Sequence, residues 1–199
     1  MEFHNFLRSR RSVRRFLPRE VPEAAVQRIL TTALYAPSAH NRQPWRFCVL
    51  QTAAIKSRLA DAMAIEFRRD LLNDNVPVAE ADARIEQSRS RITAAPLVIV
   101  LCMDLSEMDS YPDARRAQAE RMMAIQSTAA AALQLLLAVH AEGLAGVWTC
   151  GPLFAPGAVR SALELDDTWE PQAMFFVGYS DQDPRPKVLK PLDTVMRAF

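Results

Sequence analysis

Residues 97–103, LVIVLCM, are seven apolar positions in a row, three of them β-branched. A run this short and continuous is the pattern of a strand buried on both faces, which needs a helical layer on each side. Working outward, residues 113–142 read as one long helix, Ala-rich in its second half, with Gly143 as a C-cap. Alanine lets neighbours pack close on every side, so this helix is expected at the centre. Residues 22–36 carry Val26, Ile29, Leu30, Ala33 and Leu34 at helical spacing, with Pro22 in the first turn and Pro37 ending the pattern. RFCVLQ (46–51) reads as a strand. Residues 53–73 read as a helix, NDNVP (73–77) as a polar break, and the following residues to about Ile92 as a second helix. Beyond the long helix come a short strand at 147–149, a helix at Pro156–Leu163 and a strand at 173–179, AMFFVGY. The expectation is a single α+β domain over residues 1–199, with one sheet between helical layers.

Composition sets the outer limits. The chain has 199 residues, 24 Lys+Arg against 23 Asp+Glu, and is half hydrophobic. Intrinsic disorder and a disulfide scaffold are excluded, and the near-neutral charge argues against a nucleic-acid partner. Cys48, Cys102 and Cys150 are an odd set in apolar surroundings, which points to a reducing compartment. The start, MEFHNFLRSRR, lacks an apolar stretch with a cleavage site, and residues 124–141 carry Gln126, Ser127, Thr128, Gln134 and His140. Neither reads as an export signal or a membrane span, so a cytoplasmic protein without a membrane partner is expected.

Three clusters carry possible chemistry. Arg10, Arg11, Ser12, Arg14 and Arg15 follow a short helix; guanidinium forks and a hydroxyl so close together can surround a phosphate, though on their own they read more readily as a solvated basic face. The loop 36–45, APSAHNRQPW, is fixed by prolines and offers Ser38, Asn41 and Gln43 either to the edge of a flat heterocycle or to its own backbone as an Asx-type turn. GLAGVWTCGPLFAPG (143–157) holds four of the chain's five glycines, so its backbone turns sharply or approaches a ligand closely. His4, His40 and His140 have no metal-ligand spacing, nothing beside Cys150 would lower its pKa, and the chain contains no GxGxxG, P-loop or GxSxG motif.

Together these segments carry a resemblance. RRSVRRF (10–16) followed by a helix and APSAHNRQPWRF (36–47) resembles the start of the FMN-dependent nitroreductase family. GLAGVWTCG (143–151) resembles its flavin-edge loop and PKVLKPLDTV (186–195) its C-terminal segment. SYPDARRAQAERMM and LELDDTWEPQAMFFVGY look most like the nitroreductase-like domain of deazaflavin-coenzyme biosynthesis enzymes, here without a ligase partner domain.

The resemblance implies a three-layer fold with a central mixed β-sheet, forming an interlocked homodimer with FMN at its interface. Arg10, Arg11, Ser12 and Arg14 would hold the phosphate, ribityl chain and pyrimidine edge, with Arg14 near N1 and the C2 carbonyl. Pro37, Ser38, Ala39, Asn41 and Gln43 would reach across from the second subunit. Trp148, Thr149, Cys150 and Gly151 would face flavin N5 through their backbone, and Lys187 would meet the phosphate. Two positions beyond Lys187 the family pattern has an arginine where this chain has Leu189. The tail from Asp181, with Pro184, Pro186 and Pro191, would wrap the partner and bury Leu189, Leu192, Val195 and Phe199. The implied activity is hydride transfer from NADH or NADPH through the flavin to a small electron-poor acceptor, with no acid–base side chain and no metal required. A deazaflavin-coenzyme reductase and a flavin-binding or flavin-cleaving protein are the alternatives.

Overall fold

The structure is a computed structural model that describes residues 2–183 and 186–199. In chain order it comprises α1 (Phe3–Ser9), α2 (Glu23–Ala33), β1 (Trp45–Leu50), α3 (Ala53–Asn73), α4 (Val78–Ala94), β2 (Leu97–Asp104), α5 (Ala114–Ala141), β3 (Ala145–Thr149), α6 (Pro156–Leu163) and β4 (Trp169–Gly178). Short 3₁₀ turns lie at Ala39–Asn41, Gly151–Phe154 and Leu192–Thr194.

Every residue of β2 is buried. Its side chains alternate between two cores, as strand geometry requires. Leu97, Ile99 and Leu101 join Phe175, Ile29 of α2 and Ala131, Leu135 and Val139 of α5 on one face. Val98, Val100 and Cys102 join Phe176, Leu59 of α3, Ile92 of α4 and Val159 of α6 on the other. These are the two helical layers that the continuous apolar run demanded. By length and hydropathy α5 would suffice to cross a membrane, but half of its most apolar window is buried inside the protein, where it serves as the core helix. Asp113 caps its start by accepting from the Arg116 N–H, and Gly143, at φ +70°, ends it in the left-handed region.

The strand order is β1-β2-β4-β3, and all three pairings are antiparallel. The mixed sheet expected from the resemblance is therefore corrected: the one parallel contact among the described residues is an isolated bridge between Ser12 and Gly146. Connectivity explains this. Two helices, α3 and α4, return the chain after β1, so β2 runs back along it. The single helix α5 makes β3 co-directional with β2, but β4 inserts between them and pairs antiparallel with both. β4 also starts at Trp169 rather than at Ala173, because the register shifts between Leu101 and Cys102 and the strand carries Pro171 across the irregularity.

After Tyr179 the chain has no strand or α-helix among the described residues. Val188, Leu189, Leu192, Val195, Met196 and Phe199 are each more than half exposed. The extended reading at Pro184 and Arg185 lies outside the described residues.

One polar clamp ties the β1 edge to the loop that precedes it. Asp104, only 5% exposed at the end of β2, accepts from Arg46 at 2.9 Å and from the Ser106 N–H and hydroxyl at 3.0 and 2.6 Å. Its own N–H donates to the Pro44 carbonyl at 2.8 Å, and Arg46 also donates to the Gln43 carbonyl at 3.1 Å. Burial pushes the Asp104 carboxyl up, but the two Ser106 donors and Arg46 outweigh it and hold it below the usual carboxylate range.

Two predictions follow from this packing. A Cβ at Gly178 would sit 2.8 Å from Pro96 Cγ and 3.2 Å from Phe16 Cβ, so Gly178→Ala should cost about 1–3 kcal/mol in denaturant unfolding. Gly143, whose Cβ would meet open space, should lose only about 1 kcal/mol as alanine, from backbone strain. Asp104→Asn should cost about 1–3 kcal/mol at neutral pH by leaving Arg46 unpaired. Because the folded carboxyl titrates below its unfolded value of about 3.9, that gap should hold above about pH 5 and close as pH falls through the folded pKa. A gap that persists unchanged in acid would show that the carboxylate charge is not what stabilises the clamp.

Candidate functional site

The arginine motif leaves α1 and crosses the edge of the sheet. α1 contributes no buried residue, so hydrophobic burial does not hold it. Polar and aromatic contacts do: Phe6 stacks on His140 at 5.0 Å, and Ser9 Oγ lies 2.8 Å from His140 Nε2. Arg11 turns back and donates through one nitrogen to the Arg8 and Arg10 carbonyls, closing the end of the helix. Ser12 then bridges Gly146 on β3, and the Val13 N–H donates to the Gly146 carbonyl at 3.2 Å. Glycine fits closely there, because α5 brings Val139 and Leu136 to 3.3 and 3.5 Å of where a Cβ would stand, so a larger residue must push the Val139 side chain aside. Leu17 N–H donates to the Tyr179 carbonyl at 2.8 Å, fixing the far end of the motif.

A cavity of about 220 Å³ opens here, lined by Ser9, Arg10, Arg11, His140, Gly146 and Ser180 among others, and no carboxylate among the described residues lines it. The Arg10 NH1 atom is buried without a hydrogen-bond partner among the described residues. An unpaired guanidinium nitrogen is costly unless an acceptor arrives, and the wall chemistry suits an anion. Ser12 and Arg14 are exposed and make no hydrogen bond or ion pair among the described residues.

β3 runs from this cavity to the second part of the site. Trp148 is half-buried against Phe175, with ring centroids 5.6 Å apart, and its indole N–H is buried and unpartnered among the described residues. The Thr149 hydroxyl donates to the Met174 carbonyl at 3.0 Å and so serves the sheet rather than a ligand. Cys150 is exposed. The Met63 methyl of α3 lies 3.2 Å from where a Gly151 Cβ would stand, so only glycine fits beneath it without displacing that side chain. From Gly146 the strand stays extended to Thr149, about 10 Å, before the chain turns at Cys150 into the 3₁₀ turn that begins at Gly151. One end of that path is cationic and the other presents bare backbone.

The third cluster is built by strain. His40, Asn41 and Gln43 all have positive φ, at 50°, 55° and 49°, each costing about 1–2 kcal/mol for a non-glycine residue. The loop is over-determined. Ala39 N–H donates to Ser127 Oγ at 3.1 Å, while Ser127 itself donates to the Met123 carbonyl at 2.7 Å. Gln43 N–H donates to Ser38 Oγ at 3.1 Å, and the Gln43 amide donates to Asn41 Oδ1 at 3.3 Å. The loop thus satisfies much of its own backbone, but not through the simple Asx turn, since Asn41 binds a side chain. Pro37 and Asn41 are exposed, as a surface offered to a ligand would be.

The structure brings the arginine motif and the Trp148–Gly151 segment together and keeps the 37–43 loop apart. Arg10–Ser12 and Trp148–Gly151 share the β3 edge, whereas residues 37–43 lead into β1 at the opposite edge, about 14 Å of sheet away. Lys187 is exposed in the tail and makes no hydrogen bond or ion pair among the described residues. Sequence reasoning missed Ser127, Arg46, Asp104 and His140 as parts of this machinery. Ser127 and His140 were visible only as polar residues in an apolar helix, and the Arg46–Asp104 pair has no local signal.

Known proteins match along nearly the whole chain. A NADH dehydrogenase from Thermus thermophilus is 31% identical over 212 residues, covering 94% of this chain and 91% of that protein. A BluB-like flavoprotein from Clostridium difficile 630 superposes with a TM-score of 0.83 at 20% identity, over 100% of this chain and 99% of the other. A Desulfovibrio desulfuricans structure described as a nitroreductase in complex with FMN gives 0.75 at 23% identity, over 100% and 97%. The Nitroreductase family profile matches residues 7–179, from the end of α1 to the end of β4, and the chain belongs to that family.

Proposed function

We propose that this protein is an FMN-dependent NAD(P)H oxidoreductase that works as a homodimer on small electron-poor acceptors such as nitroaromatics, quinones or enones. The observation that carries this reading is a pair of buried donors without partners among the described residues, Arg10 at a cavity lined by no described carboxylate and Trp148 on β3, the strand that runs from that cavity to the glycine-bearing turn at 150–151. A phosphate at one end and a polar heterocycle at the other would satisfy both. When bound, FMN supplies the centre that accepts hydride from NADH or NADPH and gives it to the acceptor.

The chain's own residues bind and orient. Arg10, Ser12 and the free nitrogens of Arg11 hold the phosphate, with Lys187 of the tail as a further cation. Arg14 places its charge at the N1 and C2 edge, where a reduced flavin is negative. The backbone of Trp148, Thr149, Cys150 and Gly151 lines the N5 edge. Pro37, Ser38, Ala39, Asn41 and Gln43 come from the second copy, because in one chain they sit at the other side of the sheet. The exposed apolar tail and the exposed Met122 and Leu133 of α5 supply surface for that copy to cover. A cytoplasmic location is proposed on the free thiols of Cys48, Cys102 and Cys150.

Steady-state kinetics with NAD(P)H and a panel of acceptors test the reading. Parallel double-reciprocal lines are expected, since donor and acceptor would use one flavin face in turn. Arg10→Ala should weaken FMN binding by about 1.5–3 kcal/mol. Cys150→Ser should keep most of the activity, because the loop acts through its backbone. A protein that binds FMN but never oxidises NAD(P)H would instead be a flavin-binding or flavin-cleaving protein, and loss of turnover in Cys150→Ser with FMN still bound would overturn the backbone role.

A further inference from the structure

The cavity at the end of α5 holds one group that the proposed function leaves unused. His140 sits in the last turn of α5, stacked on Phe6, with Ser9 against its Nε2. Ser9 has one hydroxyl proton and donates it to the Phe6 carbonyl at 2.9 Å. With that proton on Phe6, the 2.8 Å Ser9–His140 contact is assigned to an Nε2–H donor, the tautomer that leaves Nδ1 as the nitrogen that titrates.

Accepting the FMN reading, we infer that His140 is a proton-accepting partner of the phosphate held by Arg10, so that cofactor binding takes up a proton. The charges around the imidazole support this. Among the described residues, Arg10 and Arg11 are the other ionisable groups on the cavity wall. Phe6 and Ser9, which touch the ring from α1, are uncharged. The neighbouring carboxylate, Glu142, is committed to Arg28 through contacts of 2.8 and 2.7 Å. Without an anion, burial and then the Arg10 charge hold His140 below its ordinary pKa, so it is neutral near pH 7. A phosphate dianion in the same cavity reverses the local field, and the C-terminal end of α5 favours a cationic ring as well. Protonation then strengthens binding. The gain appears as pH falls through the pKa of the complex and is absent well above it.

FMN and riboflavin titrations of the apoprotein, followed by flavin fluorescence between about pH 8 and about pH 6.5, test this. The second phosphate pKa of FMN, near 6, affects every protein alike and cancels when variants are compared. Wild type should tighten on FMN about three- to tenfold more over this range than His140→Gln, a coupling of up to about one pKa unit. Riboflavin, which lacks the phosphate, should show no His140-dependent slope. Equal FMN slopes in the two proteins, or a His140-dependent slope with riboflavin, would overturn the inference. If the variant does not fold, NMR titration of His140 in wild type decides: its pKa should rise on adding FMN and stay put with riboflavin, and an unchanged pKa with FMN overturns it. If neither flavin binds wild type at any pH, the FMN reading itself fails and takes this one with it.

Discussion

The contact on which the site depends joins two backbones. Ser12 and Val13 pair with Gly146, where a Cβ would press to 3.3 Å of the Val139 side chain of α5. α1 buries no residue, and the motif's apolar anchor, Phe16, is only partly buried against the second core, so the pairing with Gly146 is what keeps the Arg10 end at the sheet. Fully buried residues such as Phe175 or Leu135 each contribute about 1.5–3 kcal/mol to the core, whereas the motif rests on a few hydrogen bonds. The scaffold is stiff and the cation cluster is lightly attached to it, an arrangement suited to a segment completed by a ligand.

Sheet order imposes the second constraint. With β4 between β2 and β3, the arginine motif and the Trp148 loop fall on one edge and the strained 37–43 loop on the other. Three left-handed non-glycine residues persist in that loop because Ser127, Ser38, Arg46 and Asp104 hold it from both sides. Strain concentrated this far from the cavity has no use within one chain. The proposed homodimer would give it one, with the loop of each copy meeting the cavity edge of the other, and would offer the exposed apolar side chains of the tail a surface to cover.

Much of the layered fold was legible because β2 carries no charge over 97–103 and the helices flanking it keep their period. The antiparallel sheet was not, since strand direction depends on which strand inserts between two others, a long-range choice that local pattern does not encode. The strand read at 173–179 begins earlier, at Trp169, because the irregularity between Leu101 and Cys102 accommodates Pro171, a long-range pairing that local pattern does not reveal. The motif residues stood out because they cluster in sequence. Ser127, His140 and the Arg46–Asp104 clamp did not, because each gains its meaning from a partner on another element. Arg11 shows the reverse: a clear motif residue that spends part of its guanidinium closing α1.

The central claim, one flavin held between opposite sheet edges of two copies, is tested most directly by mixing lesions. Arg10→Ala and Asn41→Ala each damage both sites of their own homodimer. A heterodimer of the two variants, purified through different tags, would have one site with both lesions and one with neither. The expected result is about one tightly bound FMN per heterodimer, with wild-type affinity, where neither parent binds tightly. If each site were built within a single chain, every site in the heterodimer would keep one lesion, and a heterodimer binding no better than its parents would contradict the shared site.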